Sequence, residues 1–305
     1  MSVAWICVAL LLPVIALASP LEPLDRGGCP PAEAVALHVE ALREGRPSAG
    51  FGLHLSAGDV PCARAMLLEA LPPVLGTRVG YKAAFTGEGV QQRFDMRGPA
   101  WGAMFDRHLL PNGASLPAAF GAVPRWEPDL LVEVTGPGLA DAASPAEALR
   151  HIRAVMPFVE LPDLMLNGAA NGHAITAINT GFRGGVLGKP IAVAGREQVL
   201  LVALESMSVV ALDAARGTTL GESPGSSLMG HPLWAAIWLA GALRDAGIEL
   251  QPGEMLSLGG FLPPAAPRAG MRLEVHYRGL PGDPSVMVQF TEDGASAGSA
   301  DGPLY

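Results

Sequence analysis

The chain has 305 residues, enough for one large domain with a small accessory segment or for two modest domains. Its formal net charge of −9 and the lack of a dense basic patch exclude nucleic acid as the expected partner. No Gly-x-Ser-x-Gly, Walker or dinucleotide-binding pattern supports serine hydrolase, nucleotide or NAD chemistry. Half of the residues are hydrophobic, and 38 glycines and 28 prolines separate short apolar runs, which predicts an α+β fold rich in strands.

Residues 3–18 form an uncharged apolar run that ends in the small-x-small pattern Ala16-Leu17-Ala18. The run is short for a membrane span, which needs roughly 20 residues. It therefore predicts a signal peptide, residues 1–18, cleaved after Ala18, and a periplasmic or secreted protein that no longer contacts the membrane. Since no Lys or Arg precedes the run, an uncleaved N-terminal membrane anchor is the alternative.

Cleavage would remove Cys7 and leave Cys29 and Cys62. In an oxidising compartment these two cysteines can form a disulfide that ties the N-terminal tail to the second predicted helix. Two free buried thiols are the equal alternative, because Cys is among the residue types most often buried.

The rest of the chain divides into a helical N-terminal segment (19–75), a larger domain (76–290) and a Gly/Ser/Ala/Asp-rich tail (291–305) that we expect to be disordered. Proline, glycine and capping signals predict helices, and short Val/Leu-rich runs predict strands. The predicted helices are 32–44, 59–71, 144–154 and 233–243. The predicted strands are 78–86, 199–204, 208–212, 256–262, 273–277 and 286–290, with a polar turn at 87–89.

Three carboxylates stand in apolar surroundings: Glu127 and Asp129 precede a Leu-Leu-Val run, and Glu160 follows Phe158-Val159. In an extended segment, residues two apart point to one face, so Glu127 and Asp129 are expected to lie side by side. A buried carboxylate needs a cation or a metal, and an all-carboxylate set suits Mg²⁺ or Mn²⁺ rather than zinc. The alternative is a surface acidic pair, with Glu160 bound to an arginine.

A series of short motifs runs through the larger domain: Gly80-Tyr81-Lys82, Glu127-Pro128-Asp129, Phe158-Val159-Glu160, Gly185-Val186-Leu187-Gly188, Gly230-His231-Pro232, Trp238-Leu239-Ala240 and Leu258-Gly259-Gly260. In type and order they resemble the 2-keto-4-pentenoate hydratase and 4-oxalocrotonate decarboxylase group of the fumarylacetoacetate hydrolase superfamily, over residues 32–290. The resemblance implies a mixed β-roll of the fumarylacetoacetate hydrolase type with a short helical N-terminal region. It also implies a homo-oligomer and a bound divalent metal.

By this resemblance, Glu127, Asp129 and Glu160 match the ligands of the Mg²⁺ or Mn²⁺ ion, and Lys82 matches the active-site lysine. Burial beside Tyr81 would disfavour the ammonium form of Lys82 and suit it to proton transfer. The alternative is an edge-strand lysine whose stem lies along apolar surface.

Three more residues are candidates for substrate contact. Asn179 falls in a segment that lies near the site in the family, and Arg183 can pair with a substrate carboxylate or lie exposed. In the family, a late strand carries hydroxyl side chains that face the substrate. Here Gly259-Gly260-Phe261-Leu262-Pro263 has no hydroxyl, so Ser257 is the nearby candidate.

These parts suit proton movement next to a carbonyl, with a 2-oxo acid bound to the metal. The resemblance therefore implies a hydro-lyase that acts on a small 2-oxo or 2-hydroxy-dienoic acid, with Lys82 and Glu160 as catalytic groups. Decarboxylation of a 2-oxo diacid and C–C hydrolysis of an acylpyruvate are alternatives on the same scaffold. Asp129 stands where the family usually has Glu, and the export signal is unusual for such enzymes, so an exported protein with a degenerate oxo-acid site is a further alternative.

Overall fold

The computed structural model describes residues 29–292. The predicted signal peptide and most of the predicted tail lie outside the described residues. The helices are α1 (Ala32–Glu44), α2 (Val60–Ala70), α3 (Pro72–Leu75), α4 (Glu88–Arg93), α5 (Pro145–Ala148), α6 (Gly172–Ala177), α7 (Glu197–Ser206) and α8 (Pro232–Asp245). The strands are β1 (Arg78–Ala84), β2 (Ala100–Phe105), β3 (Leu109–Pro111), β4 (Ala114–Pro117), β5 (Glu127–Val134), β6 (Ile152–Leu161), β7 (Gly184–Leu187), β8 (Ile191–Ala192), β9 (Ser208–Asp213), β10 (Thr218–Pro224), β11 (Met255–Ser257), β12 (Arg272–Arg278) and β13 (Ser285–Thr291).

The strands form two mixed sheets, which confirms the predicted α+β class. The larger sheet has the order β2-β1-β11-β5-β6-β7-β3, with β8 paired to β6. The smaller sheet has the order β10-β9-β12-β13-β4. Parallel pairing joins β1 to β11, β3 to β7 and β4 to β13, and the other pairs are antiparallel. Thus β11, from late in the chain, is inserted between two early strands.

The strands of the two sheets differ in burial, and the difference follows the apolar pattern of their sequences. Strands β2, β5 and β6 of the larger sheet are buried over nearly their whole length, in agreement with their continuous apolar runs. Strands β12 and β13 alternate buried and accessible residues, which marks one face of the smaller sheet as covered and the other as solvated. Asp129 on β5 and Glu160 on β6 are therefore buried charged side chains, whereas Arg153 of β6 is exposed.

Two predicted elements are wrong in type or length. Residues 199–204, predicted as a strand, belong to helix α7: Val199 and Val202 are exposed while Leu200 and Leu204 are buried, a spacing that fits a helix. The helix predicted over 144–154 stops at Ala148 and continues as a 3₁₀ turn to residue 151. It is short because β6 begins at once and takes the following residues into the sheet.

The strand predicted over 256–262 is also too long, and the turn predicted at 87–89 is the start of a short helix. Only residues 255–257 pair in the sheet, because β11 has β1 on one side and β5 on the other for just three positions. Gly259 then has φ +113°, which interrupts the regular strand, while Leu258 and Phe261 still donate backbone hydrogen bonds to Leu130 and Pro128 of β5. The segment after residue 87 forms the short helix α4.

The N-terminal segment is helical as predicted. Cys29 and Cys62 form a disulfide with a Cα–Cα distance of 5.1 Å, so the residues before α1 are joined to α2. This answers the question that the sequence left open between a disulfide and two free thiols. Among the described residues, no helix combines the length and apolar character that crossing a membrane requires.

Candidate active site

The register of four neighbouring strands gathers the candidate residues on one face of the larger sheet. Glu127 lies directly opposite Glu160 across the antiparallel pair β5 and β6. Asp129 is two residues further along β5 and therefore points to the same side. Lys82 on β1 is opposite Ser257 on β11, which in turn is opposite Leu131 of β5. Since Leu131 shares its face with Asp129, the lysine and the three carboxylates face one interior space.

Asp129 is fully buried and is held by hydrogen bonds from its own chain. Its Oδ2 accepts the hydroxyl of Ser257 at 2.5 Å. Its Oδ1 accepts backbone N–H groups of Leu130 at 2.5 Å, Leu258 at 3.2 Å and Gly259 at 3.0 Å. Gly259 and Leu258 belong to the turn that follows β11, so this turn fixes the carboxylate in place.

Lys82 and Glu160 form a buried ion pair, and their side chains are 4% and 2% exposed. The Lys82 ammonium also donates to the carbonyl oxygen of Thr180 at 3.4 Å. Thr180 and Asn179 both have positive φ, 53° and 61°, a conformation that is uncommon outside glycine. This tight turn is what aims the Thr180 carbonyl at the lysine.

The ionisation of the site is set by burial and by the crowding of like charges. Burial, and then the charge of Glu160, raise the pKa of Glu127 to about 8. Burial raises the pKa of Glu160 to about 7, against the opposing effect of Lys82. Burial also raises the pKa of Asp129, although the hydrogen bonds from Ser257 and the backbone oppose it. At neutral pH the carboxyl of Glu127 therefore retains a proton in the metal-free chain.

The sequence predicts that the pKa of Lys82 is lowered, and this prediction is wrong. Burial by itself would lower the pKa of this lysine, but Glu160, Glu127 and Asp129 together raise it above its ordinary value. The ammonium is therefore the stable form of Lys82 at neutral pH in the metal-free chain. The sequence showed the apolar neighbours of Lys82 but not the carboxylates that the sheet brings to it.

Glu127 lies at the accessible end of the cluster. The residue is only partly buried, and a Cβ at Gly260 would lie 2.3 Å from its Oε2. Gly260 is therefore the residue whose small size makes room for this carboxylate. In the described part of the chain, Glu127 has no hydrogen-bond or ion-pair partner within contact distance, which leaves both of its oxygens free to bind a ligand.

The residues fit a divalent cation in chemistry but are not arranged as a formed ligand set. Asp129 and Glu160 are buried and Glu127 is partly buried, and all three supply the carboxylate oxygens that hard cations prefer. Within residues 29–292, however, no group of three His, Cys, Asp or Glu side chains is placed so that it could hold a metal ion. The reason is local, because Glu160 is paired with Lys82 and Asp129 is turned toward Ser257.

The three predicted substrate-binding residues have other partners. The Asn179 amide exchanges hydrogen bonds with the backbone N–H (2.6 Å) and C=O (2.9 Å) of Ala103. Ser257 donates to Asp129, as described above. Arg183 donates to the carbonyl of Leu42 at 2.8 Å and lies 3.5 Å from Asp163. Their roles toward a substrate stay predictions.

Sequence reasoning missed Tyr277, a fully buried residue of β12. Its hydroxyl lies 2.5 Å from the carbonyl oxygen of Asp129 and 2.7 Å from that of Phe158, and it accepts the Phe158 N–H at 3.3 Å. Tyr277 thus reaches from the smaller sheet and fixes the backbone of both site strands. Only the alternation of β12 pointed to an inward tyrosine, and nothing in the sequence gave its partner.

Fold and site together define an α+β protein with a lysine and carboxylates buried on the face of a mixed sheet. No family model matches the chain. It is 26% identical over 260 residues to 2-keto-4-pentenoate hydratase 2 of Dechloromonas aromatica, covering 82% of this chain and 94% of the relative. It is 25% identical over 256 residues to the 2-keto-4-pentenoate hydratase of Burkholderia vietnamiensis, covering 83% and 94%.

Among solved structures, the chain is similar to 4-oxalocrotonate decarboxylase from Pseudomonas putida G7 complexed with magnesium and adipate. The TM-score is 0.71 at 21% identity, and the match covers 85% of this chain and 97% of that one. The same enzyme complexed with calcium and acetate matches with a TM-score of 0.70. These findings confirm the resemblance inferred from the motifs, and the curated relatives are hydratases, which are lyases.

Proposed function

We propose that this chain is a metal-dependent hydro-lyase that acts on a small 2-oxo or 2-hydroxy-dienoic acid, in the manner of a 2-keto-4-pentenoate hydratase. The observation that carries the proposal is the buried cluster in which the Lys82 ammonium faces Glu127, Asp129 and Glu160. A structural ion pair would need one carboxylate, whereas this interior space holds three. The names of the curated relatives support the same class of reaction.

Glu127, Asp129 and Glu160 are the residues that would hold Mg²⁺ or Mn²⁺. When bound, such an ion supplies a Lewis acid that stabilises negative charge on the oxygen of a 2-oxo acid. Glu127 is the accessible ligand and Asp129 the fixed one, held by Ser257 and the turn after β11. To bind the ion, Glu160 would have to give up its contact with Lys82, which would free the ammonium.

The freed ammonium of Lys82 is the proton donor of the proposed reaction. It is buried, and the Thr180 carbonyl keeps it oriented, so that it is shielded from competing water. Donation of this proton to a carbon of the dienol, with loss of the enol hydroxyl proton to Glu160, would ketonise the substrate. Water would then add to the remaining C=C bond. Lys82 and Glu160 are thereby the two groups that move protons in the proposed reaction.

The test is a calorimetric titration of chelator-stripped chain with Mg²⁺ and with Mn²⁺, in the absence and presence of oxalate. We expect saturable binding that oxalate strengthens and that Glu127→Ala abolishes. Glu133→Ala is the matched control, because Glu133 lies on the same strand but pairs with Arg153 near the surface. A chain that binds neither ion, with or without oxalate, refutes the metal-dependent proposal.

Turnover separates the lysine from the metal. Lys82→Ala should reduce conversion of 2-hydroxypenta-2,4-dienoate by about a hundredfold or more, the usual contribution of a positioned proton donor, while metal binding persists. Unchanged turnover would rule out the lysine assignment. Release of CO₂ from a 2-oxo diacid, without hydration of the dienol, would instead identify the decarboxylase alternative.

The proposal includes export and assembly. Residues 3–18 favour a cleaved signal peptide, and the Cys29–Cys62 disulfide is typical of proteins that fold in an oxidising compartment. The intact mass of the chain recovered from the periplasm should lack residues 1–18. Retention of those residues in a membrane fraction would favour the anchored alternative, and sedimentation of the mature chain would test the expected homo-oligomer.

A further inference from the structure

A cavity of about 250 Å³ opens between α1, α3 and the turn that leads into the edge strand β3. Its walls carry Arg43, Arg107, His108 and Arg183, and its floor includes the buried Leu42 and Leu75. The residues that line this cavity do not include Lys82, Glu127, Asp129 or Glu160. We call it the arginine cavity.

Backbone carbonyls fix two of the arginines, Arg107 and Arg183, and the charge of Arg107 is left without a carboxylate partner among the described residues. Arg107 Nη1 donates to the carbonyls of Pro73 at 2.7 Å and Val74 at 2.8 Å. Within residues 29–292, no carboxylate lies within ion-pair distance of Arg107. The remaining N–H groups of this guanidinium are free to bind another acceptor, and their direction is already set.

The other charged residues of the cavity do not cancel the positive charge of Arg107. Arg183, 15% exposed, is fixed by the Leu42 carbonyl, and its acidic neighbour Asp163 already accepts two backbone N–H groups. Arg43 is on the rim and pairs loosely with Glu40 at 3.6 Å. In a chain of net charge −9, a cavity lined by three arginines is a local reversal of sign.

His108 is consistent with a positive potential in the arginine cavity. Its Nδ1 lies 3.1 Å from the Arg183 carbonyl and donates to it. Burial lowers the pKa of His108, and the nearby charges of Arg183 and Arg107 lower it further. The imidazole is therefore neutral, and the positive charge of the cavity comes from the guanidinium groups.

We propose that the arginine cavity is a binding site for a small oxyanion, a phosphate or carboxylate group, separate from the carboxylate cluster. Preset guanidinium groups bind such anions through paired, charge-assisted hydrogen bonds. A volume of about 250 Å³ is at the small end of ligand cavities, and the leucine floor accommodates a short apolar portion. The site requires no metal, so it can exist whether or not the proposed lyase function is correct.

The experiment is a calorimetric titration of the full, chelator-stripped chain in phosphate-free buffer, with inorganic phosphate in one arm and succinate in the other. Arg107→Gln removes the unpaired charge, Arg107→Lys keeps the charge but not the planar fork, and Arg43→Gln tests the rim. Arg150→Gln is the matched control, because Arg150 is exposed and outside the cavity. Far-UV circular dichroism verifies that each variant is folded.

We expect saturable binding of one anion per chain, weakened about tenfold or more by Arg107→Gln, less by Arg107→Lys and not at all by Arg150→Gln. Tighter binding of phosphate identifies a phosphate group as the ligand, and tighter binding of succinate a carboxylate. No saturable heat in either arm, or equal weakening by Arg107→Gln and Arg150→Gln, overturns the proposal. So does a smaller species of Arg107→Gln in sedimentation, which would show that an acidic group of a second copy fills the cavity.

Discussion

Replacing Glu127 by Gln should stabilise the metal-free chain at alkaline pH. The glutamine has nearly the same shape as the glutamic acid but cannot ionise. In the native chain, burial and the charge of Glu160 raise the pKa of Glu127 from 4.5 to about 8. An unfolded glutamate ionises near pH 4.3. Between these two values the native state binds a proton that the unfolded state has lost, so native stability falls as pH rises.

The size of this loss follows from the shift. Each pKa unit corresponds to about 1.4 kcal/mol, so a rise to about 8 gives nearly 5 kcal/mol between pH 4.5 and pH 8. Glu127 is partly accessible, which makes this an upper bound, and we expect a difference of about 2–4 kcal/mol. The variant should match the native chain near pH 4.5 and exceed it at pH 8.

Urea unfolding at pH 4.5, 6.5 and 8, in the presence of a chelator, measures this difference. His38 titrates in both proteins and its effect cancels, whereas the titration of Glu160 is coupled to that of Glu127, so the measured difference includes the change at Glu160. Addition of Mg²⁺ at pH 8 should then stabilise the native chain, by about 2.7 kcal/mol at a hundredfold excess over Kd, but not the variant. Parallel curves of unfolding free energy against pH for the two proteins would refute the reasoning.

Three further changes test other contacts. His38, whose pKa burial lowers to about 4, is neutral in the fold, so stability should fall by up to about 3 kcal/mol as pH drops from 6.5 to 4; urea unfolding of His38→Gln should lack that loss. Tyr277→Phe removes the hydroxyl that binds Asp129 and Phe158 and should cost about 1–3 kcal/mol, seen as a lower Tm; a shift within error contradicts the role. Gly260→Ala places a methyl group against Glu127 and should weaken Mg²⁺ binding at least about tenfold, whereas Gly241→Ala, where space is open, should leave it unchanged.

The sequence predicted those parts of the fold that carry a local signal. Proline and glycine at the ends of α1 and α8 marked these helices, and the alternation in β12 and β13 marked these strands. The apolar run at 199–204 carried no such period, so strand and helix could not be told apart until Val199 and Val202 were seen to be exposed. Short helices such as α4 depend on tertiary contacts and gave no signal.

The sequence predicted that Lys82 and the three carboxylates belong to one site, but it did not predict their charge states. The spacing of Glu127 and Asp129 fixed their common face, and the motif order added Lys82 and Glu160. The insertion of β11 between β1 and β5, which brings Ser257 to Asp129, depends on contacts between distant parts of the chain. For that reason neither the hydrogen bonds of Asp129 nor the raised pKa of Lys82 could be predicted from the sequence.

The ion pair between Lys82 and Glu160 affects how the chain can fold in the absence of a metal ion. In small zinc domains the ligands repel one another until the ion arrives, and folding has to wait for it. Here the Lys82 ammonium neutralises the charge of one carboxylate as soon as the sheet forms. Folding therefore does not depend on the proposed metal ion, which can bind afterwards by displacing Lys82 from Glu160.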